Sequence, residues 1–210
     1  MRSSARAWSG DKAMLEGEAG PLRRVDLRLS SIKEADVSSI EDEILNVIGI
    51  DPLRRIKGSV VVGNQVITVT QVITPLDKPV PYLRVGKIIV VDQEYLHLLD
   101  KSIQEYPYLI KKDVRGLSHD NFADMDIRYK PRSIGWAEHL IGVLATMIAS
   151  EETIKGTTVV DLGAGSSGIP AITAKLLGAK DLVLVESDPI IAGKLKESLI
   201  QNGLKENDFN

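Results

Sequence analysis

A glycine-rich turn in the last third of the chain could hold a nucleoside-containing ligand. Gly163, Gly165 and Gly168 directly follow the β-branched run 157–162, and an apolar helical pattern begins just after them. Glycine lets the backbone turn tightly and approach a ligand closely, so this spacing between a strand and a helix is typical of cofactor-binding loops. A purely structural glycine turn is the alternative.

Two carboxylates flank this turn. Asp161 lies two residues before the first glycine, and Glu186 lies 18 residues after the last one, at the end of a second apolar run. At that spacing, the carboxylate of Glu186 can accept hydrogen bonds from two ribose hydroxyls. The pattern therefore predicts a ligand that carries a ribose.

The charge of Asp161 helps to select that ligand. In a dinucleotide site the pyrophosphate sits on the glycine turn. A carboxylate about 6 Å away would oppose each phosphate charge by about 3 kcal/mol at an effective dielectric near 20. A positively charged ligand without phosphate is tolerated or favoured at the same place. Capping of local amides by Asp161 is the structural alternative.

The elements around these residues predict half of a parallel α/β fold. Residues 157–162 and 182–185 are apolar, β-rich runs. A helical pattern follows each of them, the first with Pro170 in its opening turn and the second beginning at Asp188. This order is that of a right-handed parallel crossover, which binds its ligand at the carboxyl ends of the strands.

Two stretches carry a family resemblance. They read VVDLGAGSSG at 159–168 and VLVESDP at 183–189. Together they resemble the first two motifs of class I S-adenosylmethionine-dependent methyltransferases, over about residues 134–204. Shorter phrases, KG at 155–156, LGA at 177–179 and NGL at 202–204, are similar to ribosomal-protein and other protein-directed methyltransferases. The resemblance implies a partial Rossmann-like domain.

The same resemblance implies roles for individual residues. Asp161, Gly163 and Gly165 would line the methionine end of S-adenosylmethionine, and Glu186 would hold its ribose. The full set of predicted cofactor-binding residues is Asp161, Gly163, Ala164, Gly165, Gly168, Glu186 and Ser187. No catalytic residue is assigned, because the family's catalytic motif lies downstream of the second motif and the segment 77–82 lacks its arrangement.

The sequence before residue 134 is predicted to form a separate, smaller unit. Residues 1–20 are expected to be a disordered terminus, and residues 21–112 an α+β domain that recruits or orients a substrate. The patterns inside it are a strand at 25–29, a capping box of Ser38 and Glu41 before a short helix, a hairpin at Gly63 and Asn64, a strand at 87–91 and a helix at 95–106.

Residues 113–133 are polar and turn-rich, and they predict a connector. Arg128, Lys130 and Arg132 surround Tyr129 within it. Such a cluster could contact phosphates, which keeps RNA open as a partner, although a solvated loop has the same pattern.

Composition excludes several other kinds of site. The 210 residues include no cysteine and three histidines, which excludes thiolate metal sites and argues against a histidine-rich metal centre. The formal net charge of -3 creates no global attraction for nucleic acid. No apolar run is long enough to cross a membrane. We expect a cytoplasmic protein, with a mitochondrial location as the alternative because Arg2 and Arg6 lie among small residues.

The methyltransferase resemblance stops after the second motif. The chain reaches Asn210 where a third strand of such a domain would begin. Because a two-stranded parallel sheet is not stable alone, we expect its edges to be covered by the amino-terminal domain, a second copy of the chain or residues of a longer polypeptide. A truncated domain is the simplest interpretation.

Together these features predict an α/β protein that carries the cofactor-binding half of a class I methyltransferase domain. The expected activity is methyl transfer from S-adenosylmethionine to a protein side chain, with RNA as the second acceptor. A non-catalytic cofactor-binding or scaffold module is the alternative from another class, and a nicotinamide or flavin enzyme comes third.

Overall fold

The computed structural model describes residues 34–72, 81–112 and 133–210. Within these ranges a five-stranded sheet precedes a two-stranded parallel sheet. Strands β1 to β4 of the first sheet are antiparallel neighbours in chain order, and β5 pairs with β4 in parallel. The elements of this part are α1 Glu34–Val47, β1 Arg55–Val62, β2 Gln65–Val72, β3 Tyr82–Val85, β4 Ile88–Asp92, α2 Lys101–Gln104 and β5 Leu109–Lys112.

The first sheet is buried on both faces along β3 and β4. Side chains alternate between faces along a strand, and every residue of these two strands is buried. One face packs against α1 in a core that includes Val37, Ile44 and Leu45. The other face belongs to a larger core that continues into the second half of the chain.

Two predictions for this part are corrected by the structure. Ser38 and Glu41 form no capping box, because α1 already begins at Glu34 and both residues lie inside it. Their side chains contact the buried guanidinium of Arg84 instead. The Glu41 carboxylate accepts from Arg84 Nη1 at 2.6 Å. The helix expected at 95–106 is broken into a 3₁₀ segment, Gln93–Leu98, and the short α2.

Other elements agree with the sequence patterns. Gly63 and Asn64 form the turn between β1 and β2, with Gly63 at a φ of 61°. The strand predicted at 87–91 is β4. The strand predicted at 25–29 and the cations Arg128, Lys130 and Arg132 lie outside the described residues, and the proposed domain boundaries stay predictions.

The second half has the predicted order of strand, loop, helix, strand and helix. β6 and β7 are parallel, in register from Thr158 opposite Asp181 to Leu162 opposite Val185. This is a partial Rossmann-like arrangement. Its elements are α3 Ser133–Ala149, α4 Glu151–Ile154, β6 Thr158–Leu162, α5 Ile169–Leu176, β7 Asp181–Val185 and α6 Pro189–Gln201.

The outer edge of β7 is paired by the last two residues. Phe209 forms a parallel bridge with Leu182. Asn210 N–H donates to Leu182 O at 3.0 Å, and its carbonyl accepts from Leu184 N at 2.8 Å. One face of the β6–β7 pair exposes the side chains of Val160, Leu162 and Val185. The expectation that the amino-terminal domain, a second copy of the chain or residues of a longer polypeptide cover the remaining edge stays a prediction.

No helix in the described ranges is both long and apolar enough to cross a membrane.

Candidate cofactor site

The glycine loop leaves open space after the end of β6. Gly163 and Gly165 have φ angles of 75° and 63°, a region that other residues adopt only with strain. A Cβ atom built on either glycine would meet no atom of the described residues within 4 Å. The backbone is therefore accessible to a ligand at these two positions.

Gly168 has a different role from the first two glycines. It caps α5 at a φ of 59°, and a Cβ atom there would lie 2.7 Å from Leu195 Cδ1 and 3.3 Å from Leu199 Cδ2. Packing of the loop against α6 therefore requires glycine at this position. The predicted cofactor contact of Gly168 stays a prediction.

The loop is also held by hydrogen bonds. Gly163 N and Ala164 N both donate to Val185 O, at 2.8 and 3.1 Å. The Ser198 hydroxyl of α6 donates to Ser167 O at 2.7 Å. The role of Ser198 could not be predicted from the sequence, because a serine within an amphipathic helix gives no signal of a loop contact.

Glu186 lies beside this loop, as its spacing predicts. Its Oε2 accepts from Gly165 N and its Oε1 from Asp188 N, both at 3.1 Å. These bonds, with the Asp188 amide as the larger cause, lower the pKa of Glu186. An ionised carboxylate has about four acceptor positions, and three donors are present, two of them at Oε1, so Oε2 keeps capacity for a ligand hydroxyl.

The two residues after Glu186 have distinct roles. Ser187 is exposed, and its hydroxyl lies 3.5 Å from Glu186 Oε1. Asp188 caps α6 by accepting from Ile190 N at 2.8 Å and Ile191 N at 3.2 Å. Asp188 therefore sets the start of α6, as an N-cap aspartate before proline indicates.

Asp161 provides an unpaired acceptor near the end of β6. Its Oδ2 is buried and has no hydrogen-bond partner among the described residues. Burial raises the pKa of this carboxyl. Leaving a buried acceptor unpaired costs free energy, so a ligand that brings an N–H donor or a positive charge would relieve this cost. Amide capping, the structural alternative for Asp161, does not occupy Oδ2.

The chain is similar to known proteins over part of its length. No protein-family model matches the chain. A ribosomal protein L11 methyltransferase from Symbiobacterium thermophilum is 32% identical over 83 residues, which are 39% of this chain and 27% of that protein. A solved structure of a proposed RNA methyltransferase from Pyrococcus horikoshii is 29% identical, covers 40% of this chain and 38% of its own, and has a TM-score of 0.29.

These similarities are to methyltransferases, but they are partial. The chain spans little more than a quarter of the length of the curated relative. The predicted resemblance to methyltransferases is confirmed at this general level. Class I membership and the roles of the seven site residues stay predictions.

Proposed function

We propose that residues 134–210 form the S-adenosylmethionine-binding half of a methyltransferase domain. The observation that carries this proposal is the buried, unpaired Oδ2 of Asp161 at the strand that leads into the open turn of Gly163 and Gly165. A cationic ligand would satisfy this acceptor.

Charge favours this ligand over a dinucleotide. S-adenosylmethionine has a sulfonium and an ammonium group and no phosphate. The pyrophosphate of a nicotinamide or flavin cofactor would instead meet an opposing carboxylate, at a cost of about 3 kcal/mol for each charge about 6 Å away. The same electrostatics make Asp161 a poor residue for a dinucleotide site.

Glu186 supports the adenosine part of the proposal. Its carboxylate is exposed enough to meet a ligand, and the Gly165 and Asp188 amides fix its orientation. Hydrogen bonds from hydroxyls to a charged acceptor are worth about 1 to 3 kcal/mol. Glu186 would therefore hold the ribose diol.

Bound S-adenosylmethionine would supply an electrophilic methyl group. The residues of this chain would bind and orient it: Asp161 at the methionine end, the loop backbone along the ligand, and Glu186 at the ribose. Catalysis of such a displacement depends mainly on bringing the acceptor into line with the methyl group.

A protein side chain is the proposed acceptor. The support is the name of the partial relative, which acts on a ribosomal protein according to that name. A module that binds the cofactor without turnover is the alternative, because the similarity covers only part of a methyltransferase.

Calorimetry with the full chain tests the proposal. We expect binding of S-adenosylmethionine and S-adenosylhomocysteine with one site per chain, and no binding of NAD. Binding of NAD without the two sulfur compounds would contradict it. Incubation of a cell extract with methyl-labelled S-adenosylmethionine then separates the acceptors: label in protein supports the proposal, label in RNA selects the second acceptor, and binding without label selects the module.

A further inference from the structure

The end of α6 is tied to the first sheet by one side chain. Asn202 Oδ1 accepts from Lys111 N at 2.7 Å, and Asn202 Nδ2 donates to Lys111 O at 2.8 Å. This amide therefore pairs with the backbone of β5 as a neighbouring strand would. Asn202 Nδ2 also donates to Ser198 O at 2.9 Å, so the side chain is fixed on both sides.

The same end of α6 holds the glycine loop. Ser198, one helical turn before Asn202, donates its hydroxyl to Ser167 O at 2.7 Å. Leu195 and Leu199 close the space beside Gly168, where a methyl group would not fit. A continuous path of contacts therefore runs from β5 through α6 to the end of the loop.

We propose that Asn202 is a positioning residue for the glycine loop. By fixing α6 to β5, Asn202 fixes the positions of Ser198, Leu195 and Leu199, and these three residues hold the loop. The loop contains three glycines with positive φ, and glycine loses more conformational freedom on ordering than any other residue. A loop ordered in advance binds its ligand more tightly. The effect on ligand affinity rests on the proposed function, whereas the effect on loop order does not.

A second contact between the two halves provides a matched control. Gln65 Nε2 donates to Ala149 O at 3.0 Å. Like Asn202, this side-chain amide joins the first sheet to the second half of the chain. Its partner is the end of α3, and none of its described hydrogen bonds reaches the loop. Gln65→Ala should therefore remove a link between the halves without releasing the loop.

The experiment measures amide hydrogen exchange of residues 163–168 in the ligand-free full chain. Asn202→Ala and Ser198→Ala should speed exchange of this segment by about tenfold, because each removes hydrogen bonds on the path. Gln65→Ala should change it by less than about twofold. In calorimetry, Asn202→Ala should weaken S-adenosylhomocysteine binding by about fivefold, and Gln65→Ala should leave it unchanged.

The outcomes separate the two proposals. Loop exchange in Asn202→Ala no faster than in Gln65→Ala would overturn the positioning role, whether or not ligand binds. If residues 163–168 exchange faster in Asn202→Ala than in Gln65→Ala but the wild type binds no S-adenosylhomocysteine, the positioning role is supported and the proposed function is contradicted. Should Asn202→Ala fail to fold, Asn202→Asp keeps the acceptor for the Lys111 amide and loses the donor to Lys111 O. Exchange of residues 163–168 in Asn202→Asp no faster than in Gln65→Ala would then overturn the positioning role.

Discussion

Asp161 and Glu186 are carboxylates in opposite environments. Burial raises the pKa of Asp161, whereas backbone hydrogen bonds from Asp188 and Gly165 lower the pKa of Glu186. The ionised form of Asp161 therefore lacks compensation that the ionised form of Glu186 has. Such a contrast is typical of functional sites, although structural networks also produce it.

The half-buried carboxylate of Asp161 should destabilise the folded chain when no ligand is bound. Because the folded pKa of Asp161 lies above its unfolded value, ionised Asp161 reduces stability at neutral pH, and the reduction disappears as pH falls below the unfolded value. Asp161→Asn should raise the free energy of unfolding at pH 7 by up to about 1 kcal/mol, after allowance for solvent screening. Urea denaturation measures it.

The control for this change is Asp181→Asn, at the other end of the parallel pair. Asp181 is opposite Thr158 at the start of the strands, and its Oδ2 lies 3.8 Å from Lys180 Nζ. It should give no gain in stability. A loss of stability in Asp161→Asn at pH 7 would show that its carboxylate already has a compensating partner.

Glu186→Gln should weaken binding of the adenosine part of the ligand. A glutamine NH₂ group cannot accept from the Gly165 or Asp188 amides, and the neutral side chain is a weaker acceptor for ribose. S-adenosylhomocysteine affinity should fall by about 1 to 3 kcal/mol in calorimetry. Glu197→Gln, an exposed position on α6, should bind as the wild type does. Equal affinity in both variants would place the ribose elsewhere.

Among the elements, those with clear start and stop signals were predictable. Pro170 and Pro189 stand in the first turns of α5 and α6, and Gly178 follows α5 with a φ of 92°. These signals are local, and the structure confirms them. The parallel pairing of β6 with β7 also followed from the order of the patterns.

The elements that the sequence did not reveal depend on tertiary contacts. β3 and β5 have four residues each, too few to show a period. Ser38 and Glu41 matched a capping box, but the demand of buried Arg84 for an acceptor decided their environment. The contacts of Ser198 and Asn202 likewise join residues 31 and 91 positions apart, which no local pattern records.

The parallel pair β4–β5 allows a prediction of pH dependence. Asp92 is opposite Lys112 at its carboxyl end. Burial lowers the pKa of Lys112 from its ordinary 10.5 to about 8, and Asp92 opposes this effect. Between these values the unfolded chain binds a proton that the folded chain has released, so this residue's contribution to stability increases with pH.

Comparison with Lys112→Met isolates this contribution. Between pH 7 and pH 9.5, the free energy of unfolding of the wild type should rise by about 2 kcal/mol relative to the variant. Urea titrations at the two pH values measure the difference, and other titrating groups are common to both proteins. Parallel pH profiles would mean that Lys112 titrates normally in the folded chain.

The two sheets share an apolar core and are joined by polar links. The larger core contains side chains from the first sheet, from α3 and from the β6–β7 half. Polar links are made by Gln65 to the end of α3, by Lys87 to Glu151, and by Asn202 to β5. The β6–β7 pair is therefore supported from one side by the other described elements.

The contact between Lys87 and Glu151 should stabilise the association of the first sheet with the second half of the chain. Lys87 Nζ lies 2.7 and 2.8 Å from the two Glu151 oxygens and 4.3 Å from the centre of the Tyr108 ring. Lys87 is 8% exposed and Glu151 20%. Glu151→Gln should lower the free energy of unfolding by about 1 to 3 kcal/mol, because a buried ammonium loses its charged partner.

The matched control is Glu105→Gln. Glu105 follows α2, and its Oε1 lies 3.6 Å from Lys101 Nζ in an exposed ion pair. Exposed pairs contribute less than about 1 kcal/mol, so this change should have little effect. Equal losses in thermal or urea denaturation would mean that Lys87 does not depend on Glu151.

The affinity for S-adenosylmethionine as a function of pH tests most directly whether Asp161 pairs with a positively charged donor. As the pH falls from 7 to 4, calorimetry should show wild-type binding weaken, because Asp161, whose pKa is raised by burial, takes up a proton and loses its negative charge. Asp161→Asn should bind weakly throughout, with a smaller dependence on pH. Tight binding by Asp161→Asn with the pH profile of the wild type would contradict the account.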